Sequence, residues 1–278
     1  MKNYFGALIT TLYALAYLTI GPWEKSIDLS IAGLLLISTG IPHGAGDHLI
    51  AKKIAARHNK SFHLTAFISS YLGVMAGYAL VWYLQPTLAF LIFIGISVFH
   101  FGDMEDLEKI NPKDKWQGNL RTIFLGTGIL SLILISHWNE VAEIVSQMKV
   151  PISSKIPTYL FYISFIFLIL GFQKKNFNHF LNTLLTLIAG FYVPLIPAFI
   201  FYFSCCHAVY SLTGMMEHLQ MTITELYKNL LPFTLGAIIL GIIYTIFVSK
   251  DIQLYPIFMF LSLLTLPHFI LMHRLIKL

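Results

Sequence analysis

Charge is what this chain lacks. Only 11 % of its 278 residues are Asp, Glu, Lys or Arg, where a soluble domain carries about 25 %. With 57 % of the residues hydrophobic and a mean hydropathy of +0.74, there are too few polar groups to cover a water-soluble fold of this size. The composition excludes a soluble globular class and indicates an all-α, polytopic integral membrane protein. Cysteine is scarce as well. Cys205 and Cys206 are adjacent and lie in an apolar stretch, so no disulfide framework exists and the thiols read as small apolar side chains. Alternation with period two is missing, which argues against a membrane β-barrel. The net charge of +5 does not point to nucleic acid, because the basic residues sit in short segments between apolar runs, where membrane orientation requires them.

Long apolar runs are what the chain has instead. Polar, Pro and Gly punctuation divides them into spans at 4–20, 27–49, 63–84, 87–104, 120–138, 157–172, 180–193, 197–219, 231–249 and 254–273. Several are near or below the roughly 17-residue minimum for a membrane helix, so the bundle is expected to have about eight to ten. The boundaries at Gln85-Pro86 and Pro194-Leu195-Ile196-Pro197 are tight enough to make their neighbours antiparallel hairpins. One transmembrane helical domain over residues 1–278 suits the length. Lys2 and the apolar run after it resemble a signal peptide. Leu18-Thr19-Ile20-Gly21-Pro22 has no small-x-small cleavage site, so this run is read as the first span.

Positive charge is unevenly shared between the two ends of these spans. With the N-terminus in the cytoplasm, the outside segments hold only Lys25, Lys149, Lys155 and Lys250 of the 18 Lys and Arg, and the inside segments hold the other 14. That bias predicts an even number of spans in the cell membrane, with both termini cytoplasmic.

Against this background the imidazoles stand out. Ile41-Pro42-His43-Gly44-Ala45-Gly46-Asp47-His48 puts two histidines and a carboxylate at the inner end of an apolar run, and groups so costly to bury in a bilayer mark function. His100, His207 and His268 each come late in a later run. In the predicted topology these four spans run from outside to inside. At about 1.5 Å per residue, the histidines lie roughly 24, 20, 15 and 21 Å from the outer face. A single intramembrane His is as readily a satisfied core group, but four at matched depth predict one shared metal ion.

A cluster of imidazoles without thiolates suits a redox metal that keeps open positions. Asp47, four residues after His43, shares its helix face and is placed to orient a ligand imidazole, directly or from a neighbouring span. Asp103, three residues after His100, has the same option, or is a solvated carboxylate at the start of a charged loop. Gly44, Gly46 and Gly102 would allow close helix approach. His58, His63, His137, His179 and His218 are read as bystanders. His48, five residues after His43, faces elsewhere unless the helix breaks at Gly44 or Gly46.

Other chemistries fit less well. The HExxH signature, clustered histidine boxes, a Gly-rich phosphate loop and a Ser-His-Asp pattern are absent. Haem on axial histidine pairs stays a competing reading, as does a proton-coupled transporter that uses the histidines and Asp47 as a relay.

Taken in order and spacing, Pro42-His43-Gly44-Ala45-x-Asp47, Phe99-His100-Phe101-Gly102, His207 after a Cys/aromatic run, and Thr265-Leu266-Pro267-His268 resemble the bacterial and archaeal β-carotene 15,15′-dioxygenase family. The resemblance covers nearly the whole chain. It implies an integral membrane, Fe(II)-dependent enzyme that cleaves the central double bond of β-carotene with O2, giving two molecules of retinal that would supply a microbial rhodopsin. It places iron ligands on His43, His100 and His207, with a fourth His expected four residues after His207. Ser211 stands there instead, and a hydroxyl is a poor iron ligand. Tyr210 likewise stands where the family usually has a basic residue. Either three imidazoles and water suffice, or His268 or His48 moves in, or the activity is changed or lost. A non-catalytic member that carries carotenoid or retinal is the matching alternative.

Overall fold

The computed structural model describes residues 4–105, 115–248 and 255–276, without the side chains of 103–105, 115–118, 175, 245, 248 and 273–276. Among the described residues there is no strand, and the chain is a polytopic helical membrane protein. In order the helices are α1 (Phe5–Thr19), α2 (Lys25–Leu35), α3 (Ile41–Ala45), α4 (Asp47–Arg57), α5 (Leu64–Leu84), α6 (Pro86–Glu105) and α7 (Lys115–Ser136). They continue with α8 (Trp138–Gln147), α9 (Tyr159–Gly171), α10 (Phe177–Gly190), α11 (Leu195–Tyr202), α12 (Val209–Leu219), α13 (Ile223–Val248) and α14 (Tyr255–Ile276). Two π-helical segments interrupt the α geometry, Leu36–Gly40 between α2 and α3 and Phe203–Ala208 between α11 and α12.

Among the described residues, six stretches are long and apolar enough to cross a membrane: Lys25–Arg57, Leu64–Leu84, Asn119–Ser136, Leu195–Leu219, Ile223–Tyr244 and Tyr255–Met272. Phe5–Thr19, Pro86–Gly102 and Tyr159–Gly171 are apolar but shorter. The span expected at 180–193 corresponds to α10, a helix of 14 residues, which is short of a full crossing. Helix α8 has no counterpart among the expected spans. It is short and two-faced, with Val141, Ile144 and Val145 buried and Glu143 exposed.

The chain divides into two compact units, one formed by 1–40, 97–143 and 153–214, the other by 41–96, 144–152 and 215–278. In the first, α1 packs on α10 and α11, α2 on α11, and α7 on α9. Lipid tails are as apolar as a leucine core, so such contacts depend on close packing and interhelical hydrogen bonds. Small residues supply the first: Gly6, Ala7, Thr10 and Ala14 lie on the buried face of α1, together with Tyr13. Asn182 of α10 supplies the second. Its Oδ1 accepts the Ala7 amide at 3.0 Å and its Nδ2 donates to Cys206 Sγ at 3.3 Å. Cys205 and Cys206 are buried thiols outside any disulfide.

In the second unit, α14 packs on α4, α5 and α13, and α3 packs on α13. The Trp82 indole donates to Ser262 Oγ at 2.8 Å and the Tyr78 hydroxyl to the Ala89 carbonyl at 2.7 Å. Bonds of this kind average about 0.6 kcal/mol each between membrane helices. Phe247, Tyr83 and Ile20, each at least 80 % exposed, are apolar surface of the sort a bilayer solvates.

Candidate functional site

Each unit contains a buried pair of imidazoles. In the first, His100 comes from α6 and His207 from the π-helical segment before α12, and their Nε2 atoms are 3.1 Å apart. His207 is 1 % exposed and is walled by aromatic rings, with Phe101 edge-on at 4.9 Å and Phe203 stacked at 5.6 Å between centroids. The local backbone explains how these rings are held. A β-carbon on Gly102 would overlap the Thr122 carbonyl, and one on Gly126 would overlap the Val98 carbonyl. Glycine therefore lets α6 and α7 touch backbone to backbone on either side of His100. The two π-helical segments also meet here: Thr39 Oγ1 donates to the Ser204 carbonyl at 2.9 Å, and a β-carbon on Gly40 would run into Phe203 and Ser204. Such π turns are rare and cluster at functional sites.

In the second unit, the His43 ring on α3 lies edge-on to that of His268 on α14, with centroids 4.8 Å apart. His268 Nδ1 is 2.6 Å from Asp47 Oδ1, and the Tyr71 hydroxyl on α5 donates to Asp47 Oδ2 at 3.0 Å. Asp47 is 3 % exposed. An ionised carboxylate only accepts, so facing one the Nδ1 of His268 would carry the proton, and in the neutral ring Nε2 would hold the lone pair. Asp47 thus meets the imidazole of a distant helix, 221 positions along.

The remaining predicted residues fall as follows. Ser211 is buried on α12, one turn beyond His207. The side chain of Asp103 lies outside those described. His48 stacks on Phe233 at 3.9 Å, with Nδ1 2.9 Å from the Ala45 carbonyl. His137 bridges the carbonyls of Ile133 and Val193, each at 2.8 Å. Of the three glycines, Gly102 makes the expected close approach. Gly44 faces open space, and Gly46 faces the flexible side chain of Met215, with the His43 carbonyl at ordinary contact distance. Tyr71 was not anticipated: nothing in the apolar run 63–84 separates it from a lipid-facing tyrosine.

These donors fit a metal. With metal–nitrogen bonds of about 2.0–2.1 Å, as for imidazole on zinc, two nitrogens 3.1 Å apart subtend about 100° at the ion, a normal angle between neighbouring ligands. A carboxylate on the second nitrogen of a ligand imidazole is the usual outer support of such sites.

A family described as Beta-carotene 15,15'-dioxygenase matches residues 34–276. The chain belongs to that family. It is also 25 % identical over 248 residues to the Beta-carotene 15,15'-dioxygenase of Uncultured marine bacterium 66A03, a match covering 85 % of this chain and 90 % of the relative. No solved structure matches the chain. The part matched by the Beta-carotene 15,15'-dioxygenase family takes in His43, Asp47, Tyr71, His100, His207, Ser211 and His268, so the residues of both imidazole pairs lie within it.

Proposed function

We propose that this protein cleaves the central double bond of β-carotene with O2, giving two molecules of retinal, at one Fe(II) held by His43, His100, His207 and His268. Family membership supports the reaction. The observation that carries the residue assignment is the presence in each unit of a buried imidazole pair, one with facing Nε2 atoms and the other backed by Asp47. Fe(II) bound there would supply O2 activation.

The chain's own groups have the remaining tasks. His100 and His207 present ring nitrogens beside the rings of Phe101 and Phe203, which would keep water from the reacting bond. Asp47 orients His268. Ser211 contributes no ligand, and His268 takes the role that the missing fourth histidine would have. The carotenoid dissolves in the hydrocarbon core and enters sideways from lipid between aromatic side chains. The protein lies in the cell membrane with both termini cytoplasmic, and its retinal passes to a rhodopsin in the same membrane.

Expression in cells that make β-carotene is the direct test. Wild type bleaches the cells and forms retinal, whereas His43→Ala and His100→Ala leave them coloured. Cleavage retained in either variant removes that residue from the ligand set. A carrier would bind pigment without oxygen-dependent turnover, and a proton-coupled transporter would purify without stoichiometric iron.

A further inference from the structure

We infer that Tyr71 is a positioning residue, whose hydroxyl, acting through Asp47, fixes which nitrogen of His268 carries the proton. The inference rests on the reading of His268 as a ligand, and it adds a residue and a tautomer to that reading. Asp47 is a carboxylate in apolar surroundings, where an oxygen without a donor is costly. Its two oxygens are divided between two partners: Oδ1 lies against His268 Nδ1 at 2.6 Å, and Oδ2 takes the Tyr71 hydroxyl at 3.0 Å. With Oδ2 so engaged, the carboxyl group is held against rotation about its own bond, and Oδ1 stays aimed at His268. Remove the hydroxyl and the two oxygens become interchangeable, so the imidazole is free to flip or to change tautomer.

The hydroxyl is held on its other side too. It lies 3.3 Å from the carbonyl of Leu264, one helical turn before His268 on α14. A single phenolic proton is shared unequally between two acceptors. The charged and nearer oxygen of Asp47 takes the larger share, because hydrogen bonds to an ionised acceptor are roughly twice as strong. Tyr71 therefore joins α4, α5 and α14 at the point where His268 is oriented. The result is a neutral imidazole with Nδ1–H toward Asp47, the tautomer in which a metal would be met by Nε2.

The test uses the full-length protein in lipid nanodiscs with 15N-labelled histidine. The His268 signals are assigned by their loss in His268→Gln. In metal-free wild type, the 15N shifts are expected to show the Nδ1–H tautomer. In Tyr71→Phe, which keeps the ring, they are expected to show a mixture, and Fe(II) affinity by titration falls about tenfold. Tyr78→Phe is the control, since it deletes another α5 hydroxyl bond, to the Ala89 carbonyl, away from Asp47. It should leave both readouts as in wild type. The inference is overturned by an unchanged His268 pattern in Tyr71→Phe, by an unchanged Fe(II) affinity where wild type binds iron, or by an equal effect of Tyr78→Phe. Should wild type take up no Fe(II), the iron reading fails, while the metal-free tautomer still decides the role of Tyr71.

Discussion

A buried carboxylate needs a donor on each oxygen, and Asp47 has His268 on one and Tyr71 on the other. Asp47→Ala removes the acceptor that orients His268, so Fe(II) affinity is expected to fall by about 10- to 100-fold, read by titration of purified protein that still reaches the membrane. Gly102→Ala makes a different prediction. Its added methyl meets the Thr122 carbonyl, backbone that cannot turn away, so α6 must move off α7. The expected cost is about 1–3 kcal/mol, seen as a lower unfolding temperature in detergent, and His100 moves with the helix. The sequence shows how far single residues can be read. His43, His100, His207, His268 and Asp47 are conspicuous because polar groups are rare in apolar runs. The pairing of Asp47 with His268 is not, because helical spacing relates Asp47 to His43 and carries no information about which helix packs alongside. Tyr71 is hidden for the same reason among the chain's 14 tyrosines.

At the scale of elements, the site depends on two places where the helix adds a residue to its turn. The segments Leu36–Gly40 and Phe203–Ala208 meet through Thr39 and Ser204, and the second carries His207. Thr39→Val keeps the shape and removes the hydroxyl bond to the Ser204 carbonyl. A loss of about 0.5–1.5 kcal/mol is expected in thermal unfolding, and an unchanged melting temperature would show that packing alone joins the two segments. The start of α11 offers another handle. Both Glu140 oxygens lie 3.2 Å from the Leu195 amide, so a negative side chain caps the helix that leads into the π-helical segment. Hydrophobic runs locate α5, α6 and α14 to within a few residues, since length and apolar content define them. They do not reveal π turns, which leave the apolar pattern intact while shifting its phase. Nor do they reveal α8, whose two-faced pattern is too short and too polar to read as a span.

At the scale of the whole molecule, charge asymmetry predicts an orientation that labelling can read. Moving a basic residue across the bilayer opposes the bias that sets orientation, and only four of the 18 Lys and Arg would be outside in the proposed topology. The turn after α4 should then face the cytoplasm and the segment between α8 and α9 the outside. Single cysteines at Ser61 and Ser153, both exposed, test this once Cys205 and Cys206 have been replaced by serine or alanine. A membrane-impermeant maleimide added to intact cells should label the Ser153→Cys protein and spare Ser61→Cys, which reacts only after the cells are opened. Labelling of both from outside would put the two segments on one face and refute the arrangement of the four histidine-bearing spans. The reverse pattern would keep the spans and invert the molecule. In that case the basic cluster of Lys52, Lys53, Arg57 and Lys60 would have been translocated, at a cost the charge bias says the chain avoids.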